Sequence, residues 1–283
     1  MKSVVVTGVS TGIGWGILKV LTQHGIHVFG SVRKREDAER LTAEFGELYT
    51  PLVFDVTNEQ AVKTAAELVR ERMGGITLLG LVNNAGIGIG GPLMHQPISD
   101  FRKVLEVNLV GALIVSQAFI PLLGADKSLR GEPGRIVNIS SVGGKVGGPF
   151  LGAYAASKHG LEGMSESLRR ELMLYGIDVI IVGPGAVATP IWDKAESQDV
   201  SQIANTDYAP FAQRFMRGFI AGGRKGFPPE KIGEVVYKAL TTAKPRVRYP
   251  VVPGFVMNWL LPTLLPKRMI DNVIANQLGM KRK

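Results

Sequence analysis

The sequence predicts an α/β fold, with one domain built on a doubly wound parallel sheet that has helices on both faces. Short apolar runs alternate with helical stretches from the N-terminus onward. A glycine-rich loop joins the first apolar run to the first helix, and no repeat or linker divides the 283 residues. Strands that alternate with helices in this way are typical of parallel sheets, because each crossover helix packs on a face of the sheet.

The first strand is the β-branched run Val4 to Val6, and a helix that ends near His24 follows it. The loop between them, Thr7 to Gly14, matches the pattern G-x-x-x-G-x-G with Gly8, Gly12 and Gly14. Glycines allow the backbone to approach a pyrophosphate, and the helix N-terminus supplies N–H groups. Ordinary turns are also rich in glycine, so the loop alone is a weak indication of nucleotide binding.

The second strand, Ile26 to Ser31, runs through Val32 into Arg33-Lys34-Arg35. In many dinucleotide-binding folds an acid near this position binds the adenine ribose and favours NAD. A guanidinium can instead bind a 2′-phosphate with two hydrogen bonds. We therefore expect NADP(H) to be favoured over NAD(H), with a solvated basic turn as the alternative interpretation.

The alternation then continues to give seven strands in all. Further strands are expected at Leu52 to Phe54, Leu78 to Val82, Arg135 to Ile139, Asp178 to Val182 and Val247 to Val251. Further helices are expected at Glu36 to Phe45, from Thr57 or Asn58 to Met73, at Ile98 to Leu122, from Tyr154 to Tyr175, and from Pro228 onward.

Tyr154 and Lys158 are four positions apart in a predicted helix, so both side chains would lie on one face. A free tyrosine has a pKa near ~10, and an adjacent positive charge lowers it. Such a tyrosine could exchange a proton with a carbonyl or alcohol oxygen. Ser141, after the fifth strand, could hold the same oxygen. Asn108 lies between apolar neighbours and is either a satisfied core residue or the holder of a water that relays protons.

Composition excludes several classes of site. The chain has no cysteine, which excludes disulfides and thiolate metal sites, and its four histidines lack the spacing of a zinc site. The net charge of +9 indicates a basic surface, an anionic cofactor or an anionic membrane surface. Nucleic acid is not expected as a partner, because no basic block is interleaved with aromatics. The short apolar run at the N-terminus is a strand rather than a signal peptide, so a cytoplasmic location is expected.

Two segments depart from the strand–helix pattern. Residues 191–226 carry Trp192 and four further aromatics, and an insertion after a strand end of such a sheet lies over the ligand crevice. We interpret it as a helical lid. The stretch Tyr249 to Pro266 has 18 residues without a charge, but its four prolines argue against a membrane-spanning helix. This tail is expected to close the substrate pocket or pack on another subunit, with contact to a membrane surface as the less favoured alternative.

Several motifs in a fixed order resemble those of the short-chain dehydrogenase/reductase family, from Val4 to Val252. They are TGVSTGIG at 7–14, Asp55, NNAG at 83–86, Asn108, Ser141, YAASK at 154–158 and PGAVATP at 184–190. The run Gly160-Leu161-Glu162-Gly163 resembles the hydroxysteroid and retinol dehydrogenase branch of that family.

The resemblance implies a Rossmann fold over residues 1–252, with 253–283 as an apolar extension. It implies that Tyr154 is the general acid/base, that Lys158 lowers the pKa of Tyr154 and binds the nicotinamide ribose, that Ser141 orients the carbonyl and that Asn108 holds the relay water. The substrate-binding residues are then Ser141, Tyr154 and Trp192. The cofactor-binding residues are Gly8, Ser10, Thr11, Gly12, Ile13, Gly14, Arg33, Asp55, Val56, Asn83, Asn84, Ala85, Gly86, Tyr154, Lys158, Pro184, Gly185, Val187 and Thr189. No metal is implied.

The resulting hypothesis is an oxidoreductase that uses NAD(P)(H) to interconvert a hydrophobic secondary alcohol and ketone, of steroid-like or retinoid-like kind. A reductase of acyl-thioester or sugar carbonyls and a nucleotide sensor without turnover are the alternatives. In many NADP-dependent members of the family the residue at this position is basic, but here it is Thr11. The cofactor preference therefore depends on Arg33 and its neighbours. The family resemblance also implies a homodimer or homotetramer.

Overall fold

The computed structural model describes residues 2–197 and 203–280, and within them it confirms a seven-stranded sheet in which every strand pair is parallel. The strand order is β3-β2-β1-β4-β5-β6-β7. The order reverses between β1 and β4, and ligands of such sheets bind outside the carboxyl ends of the strands at that point. The strands are β1 (Ser3–Val6), β2 (His27–Val32), β3 (Tyr49–Val53), β4 (Gly80–Asn83), β5 (Arg135–Ile139), β6 (Asp178–Pro184) and β7 (Arg248–Val251).

Helices cover both faces of the sheet. They are α1 (Gly12–Gln23), α2 (Arg35–Phe45), α3 (Glu59–Met73), α4 (Ile98–Leu105), α5 (Gly111–Phe119), α6 (Gly152–Glu171), α7 (Ile191–Glu196), α8 (Ala209–Arg224), α9 (Pro229–Thr241), α10 (Leu261–Leu264) and α11 (Lys267–Leu278). The buried side chains of α1, α2 and α9 form the core on one face. Those of α3 and α5, with Leu172 just after α6, form the core on the other.

The predicted helix from Ile98 to Leu122 is present, but a π-helical turn, Glu106–Val110, separates α4 from α5. π-Helical turns are rare in proteins, but those that do occur often lie at functional sites. Among the described residues this helix, Ile98–Leu123, is the one that is long and apolar enough to cross a membrane, with a mean hydropathy of 1.7. Core helices of soluble proteins pass the same test, and α5 packs its buried residues against the sheet.

The predicted lid and the extension from Pro253 onward, called the tail from here on, contain helices that pack on each other. Residues 198–202 of the lid and 281–283 of the tail lie outside the described residues. A third, small core contains Phe150, Ala212 of α8 and Leu278 of α11, with Tyr208 and Phe215 packed around it. The backbone carbonyl of Leu278 also accepts a hydrogen bond from Arg214 Nη1 at 2.7 Å. The tail is therefore fixed on the lid, and it is more helical than the short amphipathic element expected from the sequence.

Phe150 has an unusual backbone conformation, with φ at +62°. It is the one residue other than glycine in residues 2–197 and 203–280 with a positive φ. A bulky residue in the left-handed region is an outlier, and such strain is often found at functional sites. Its ring lies at the centre of the third core and contacts Tyr208 and Phe215.

Candidate active site

The glycine loop begins at the carboxyl end of β1 and ends in the first turn of α1. Gly8 and Gly12 have φ values of +71° and +62°, which favour glycine. A Cβ on Gly14 would collide with the carbonyl oxygen of Gly8 and with the Asn84 amide. Thr11 is the N-cap of α1 but makes no side-chain cap hydrogen bond. The N-terminus of α1 therefore presents its N–H groups beside closely packed backbone, an arrangement that fits a pyrophosphate.

Thr7 holds this loop, although sequence reasoning did not single it out. Its hydroxyl oxygen accepts hydrogen bonds from the N–H groups of Asn84 and Ala85, both at 3.0 Å. The Asn84 side chain donates to the carbonyl oxygens of Thr7 and Gly8 at 2.8 and 3.0 Å. The side chain of Asn84 is thus used to join β4 to the glycine loop.

The side chain of Asn83 belongs to a network of hydrogen-bonded side chains. Its amide donates to Ser116 Oγ and to Asn138 Oδ1, both at 2.9 Å, and Asn138 donates in turn to Ser165 Oγ at 2.8 Å. All four side chains are buried. Any contact of Asn83 with a cofactor would therefore come from its backbone rather than from its side chain.

The basic residues after β2 lie beside Asp55. Arg33 Nη1 is 4.0 Å from Asp55 Oδ2, and the Arg33 side chain is 72% exposed, so most of its guanidinium is free to bind an anion. Asp55 Oδ1 accepts hydrogen bonds from the backbone and hydroxyl of Thr57. Arg40, which sequence reasoning missed, donates to the Ser10 carbonyl at 2.7 Å. It adds a second guanidinium beside the glycine loop.

The segment after β6 forms the other side of the crevice. Pro184 ends β6, and the N–H of Gly185 donates to Val251 at 2.9 Å. Val187 is buried, and a Cβ on Gly12 would lie 3.3 Å from Thr189 Cβ. The loop after β6 thus faces the glycine loop.

The other predicted cofactor contacts lie nearby. Ile13 is in the first turn of α1 and packs on the core, Val56 is buried after β3, and Gly86 follows Ala85 at the end of β4.

Tyr154 lies in the first turn of α6 between two glycine segments. A Cβ on Gly88 would be 3.8 Å from its ring, and one on Gly143 would be 3.3 Å from it. Ser141 hydrogen-bonds with the Tyr154 hydroxyl, and its Oγ accepts from Gly143 N at 3.0 Å. The structure therefore brings Ser141 and Tyr154 together, as the sequence predicts.

Lys158 is one turn further along α6 and is buried. Its Nζ donates to the Ile139 carbonyl at the end of β5, at 2.8 Å, and lies 5.8 Å from the centroid of the Tyr154 ring. Burial lowers the pKa of Lys158 to about 8, while the charge of Glu162 raises it. Lys158 and Tyr154 thus share one face of the helix beside the strand end.

Burial rather than Lys158 sets the direction of the pKa of Tyr154 in the protein alone, so a lowering of that pKa by Lys158 stays a prediction. Burial raises the pKa of Tyr154, because a phenolate is poorly solvated there, and the hydrogen bond with Ser141 opposes the rise. Without a bound cofactor Tyr154 is therefore a protonated hydrogen-bond donor at neutral pH.

Asn108 lies in the π-helical turn, and its side chain makes three hydrogen bonds. Its Oδ1 accepts from Ile87 N at 2.8 Å, and its Nδ2 donates to Ile87 O at 2.9 Å and to Ser157 Oγ at 3.0 Å. Ser157 donates to the Tyr154 carbonyl at 2.7 Å. The side chain of Asn108 therefore joins the loop after β4 to α6. A relay water would have to use the Asn108 backbone or the second lone pair of Oδ1.

Trp192 belongs to the lid and is buried within it. Its Nε1 donates to the Val187 carbonyl at 2.7 Å, and its ring contacts Phe219 at 5.0 Å between centroids. This packing explains the tryptophan structurally, and a role in substrate binding stays a prediction. No group of histidine, aspartate and glutamate that could hold a metal ion occurs in the part of the chain that the structure describes.

A dinucleotide crevice next to a tyrosine–lysine–serine cluster, in which the lysine is buried and the other two are half-buried, defines the class of nicotinamide-dependent oxidoreductases. The family model for short chain dehydrogenases matches residues 2–200, and the chain belongs to this family. That membership confirms the predicted NAD(P)-dependent enzyme class.

Relatives span almost the whole chain. An NADPH-dependent 3-dehydrocapnine reductase of Ornithobacterium rhinotracheale is 37% identical over 98% of each chain. Retinol dehydrogenase 16 of Mus musculus is 32% identical over 96% of this chain and 87% of its own. The crystal structure of a short-chain dehydrogenase from Streptomyces avermitilis has a TM-score of 0.75 at 26% identity, over 98% of this chain and 95% of its own. The similarity to the retinol dehydrogenase branch is thereby confirmed.

Proposed function

We propose that this protein is an NADPH-dependent reductase that converts an apolar ketone into a secondary alcohol and can run in reverse. The observation that carries the proposal is the cluster of Ser141, Tyr154 and Lys158 at the end of β5, next to the crevice of the glycine loop. These groups can hold a carbonyl oxygen and move a proton to it, which is the half of the reaction that the protein must supply.

Each side chain has a role that its environment supports. Ser141 and Tyr154 would both donate hydrogen bonds to the substrate oxygen. When bound, the reduced cofactor supplies a hydride to the carbonyl carbon. Tyr154 then gives its proton to the oxygen, and Lys158 stabilises the phenolate that is left. Asn108 would hold the water that returns a proton to this group.

Arg33 supports NADPH rather than NADH as the cofactor. Arg33 is mostly exposed after β2, whereas Arg40 is held by the Ser10 carbonyl and by Asp37 and Glu44. A guanidinium can form paired hydrogen bonds with a phosphate. The relative from Ornithobacterium rhinotracheale is NADPH-dependent by name, which agrees with this assignment.

An apolar substrate is supported by the lid. Phe150, four residues before Tyr154, packs with Tyr208 and Phe215 of the lid. Leu93 and Met94, on the loop after β4, are exposed. The relatives named for 3-dehydrocapnine and for retinol suggest a hydrophobic ketone or alcohol. A steroid-like or retinoid-like compound is the first class to test. Acyl-thioester and sugar carbonyls are the second, and the same residues would act on them.

Replacing Tyr154 with phenylalanine tests the proposal. Tyr154→Phe removes the proton donor but keeps the ring, so NADPH should still bind while turnover of a ketone falls by about 10²–10⁴-fold. The measurements are NADPH oxidation with a panel of ketones and NADPH binding by fluorescence. Tyr175→Phe is the matched control, because Tyr175 lies just beyond the other end of α6.

Near-normal turnover by the Tyr154→Phe protein would exclude Tyr154 as the acid. NADPH binding by the wild-type protein without turnover of any ketone, thioester or sugar would instead favour a nucleotide sensor. A homodimer or homotetramer and a cytoplasmic location stay predictions, which light scattering and cell fractionation would check.

A further inference from the structure

Glu162 is a buried acid on the catalytic helix, and the proposed reaction does not use it. It lies one turn beyond Lys158 on α6, and its side chain is 3% exposed. A buried carboxylate is costly unless it is paired and hydrogen-bonded. The partners of Glu162 therefore indicate what this acid is for.

Two other segments, β7 and the connection after β5, supply these partners. Arg248 of β7 donates from Nη2 to Oε1 at 2.8 Å and from Nε to Oε2 at 3.2 Å, which is a bidentate pair. Ser140, after β5, donates to Oε1 at 2.8 Å. Lys145 Nζ lies 3.0 Å from Oε2. Together these groups lower the pKa of Glu162 against the effect of burial, so the acid is ionised.

Arg248 extends the network in two directions. Its Nη2 also donates to the Ser141 carbonyl at 3.4 Å, next to the predicted substrate-holding hydroxyl. The ring of Trp259, in the tail, covers the guanidinium at 4.2 Å. A Cβ on Gly183 of β6 would collide with the guanidinium, so the residue must be glycine for Arg248 to fit.

We propose that Glu162 and Arg248 are positioning residues that hold the end of β5 against the Lys158 turn of α6, and that Trp259 couples this arrangement to the tail. The kinetic part of this inference rests on the proposed function. The structural part, the fixing of the tail through Trp259, does not.

The charges around Lys158 give the proposal a pH-dependent readout. Glu162 is the anion on the same helix as Lys158, and its cationic partners are Arg248 from β7 and Lys145 from the segment after β5. Tyr154, also on α6, is protonated at neutral pH. Removing the acid would take away the negative charge that raises the pKa of Lys158, so the ammonium of Lys158 would lose its proton at lower pH.

The first experiment compares Glu162→Gln with Glu166→Gln in the intact protein. Glu166 is one turn further along α6, half-exposed and paired with Arg170, so it is a matched acid outside the network. In Glu162→Gln we expect the alkaline limb of kcat/KM to move down by about one pH unit. The limb of Glu166→Gln should coincide with that of the wild type. A lower melting temperature with an unchanged limb would overturn the positioning role.

The second experiment tests the coupling to the tail and needs no turnover. Trp259→Ala removes the ring from Arg248, whereas Trp259→Phe keeps an aromatic face for the cation. Limited proteolysis should release the tail at least about fivefold faster in Trp259→Ala and in Arg248→Met than in the wild type. Trp259→Phe should restore most of the protection. Equal cleavage rates in all four proteins would overturn the coupling.

The two outcomes separate this inference from the proposed function. If the wild type reduces no ketone but the proteolysis series behaves as described, the fixing of the tail through Trp259 is supported and the proposed function is wrong. If Glu162→Gln does not fold, Trp259→Ala still tests the network, because Trp259 is only half-buried and lies at the surface. In the Trp259→Ala protein the KM for a bulky ketone should then rise, while the KM for NADPH should change little. An unchanged KM for the ketone would count against the proposal.

Discussion

Arg33 and Asp55 lie 4.0 Å apart at the predicted 2′-phosphate position, with the guanidinium mostly exposed. Charge-assisted hydrogen bonds contribute about 1.5–3 kcal/mol each. Arg33→Ala should therefore weaken NADPH binding by roughly tenfold or more and leave NADH binding little changed. Fluorescence titration of both cofactors measures this difference. An equal loss for NADPH and NADH would mean that Arg33 only supports the fold.

The buried ammonium of Lys158 should make stability depend on pH. Its pKa is about 8 in the folded protein, against an ordinary value of 10.5. Between these values the unfolded chain binds more protons than the folded one, so the free energy of unfolding rises with pH in that window. The rise should be present in the wild type and absent in Lys158→Met, as measured by urea unfolding from pH 7 to pH 10 without cofactor. The same slope in both proteins would contradict burial of a charged lysine.

Sequence spacing predicts contacts between residues that are close along the chain better than contacts between distant residues. Tyr154 and Lys158 share a helix face by their spacing alone, and Ser141 follows a recognisable strand. The partner of Glu162 is 86 positions away, and nothing in the sequence indicates that pair. The rise in the pKa of Tyr154 was also missed, because it depends on how deeply the fold buries the hydroxyl.

At the scale of elements, type is easier to predict than detail. All seven strands and the main crossover helices were expected, since apolar periodicity and turn residues mark them. The π-helical turn at Glu106–Val110 was not expected, because a single extra residue in a helical turn leaves no periodic signal. The consequence is functional, since this turn carries Asn108, whose amide links the loop after β4 to α6.

Substitutions at Phe150 test whether the backbone of this residue is strained. A left-handed conformation costs roughly 1–2 kcal/mol for a residue with a Cβ. Phe150→Gly and Phe150→Ala both remove the ring, but only glycine relieves the backbone. Phe150→Gly should therefore be the more stable of the two by about 1 kcal/mol in urea unfolding. If Phe150→Ala is equally stable or more so, the backbone of residue 150 is not strained in solution.

Across the whole molecule, the sheet is the part that sequence determines best, and the lid and tail are the part it determines least. Parallel strands between crossover helices have few possible arrangements. The helices α8 and α11 meet through Phe150 and Leu278, which are far apart in the sequence. Hydrophobicity alone indicated that the tail would be buried, yet Met257, Leu264 and Met269 are exposed. Those side chains leave a membrane surface or a second subunit as possible neighbours of the tail.

Deleting the residues after Pro253 should separate these possibilities. The deletion removes α11 from the lid and Trp259 from Arg248, so the predicted substrate pocket would lose its cover. The KM for bulky apolar ketones should then rise much more than the KM for small ones, because only large substrates reach the lid. An equal effect on both would point to subunit packing or to general stability, and light scattering would show the change in mass. If the intact protein instead sediments with anionic vesicles and salt releases it, the exposed apolar residues and the cations Lys267 and Arg268 of α11 bind a membrane surface.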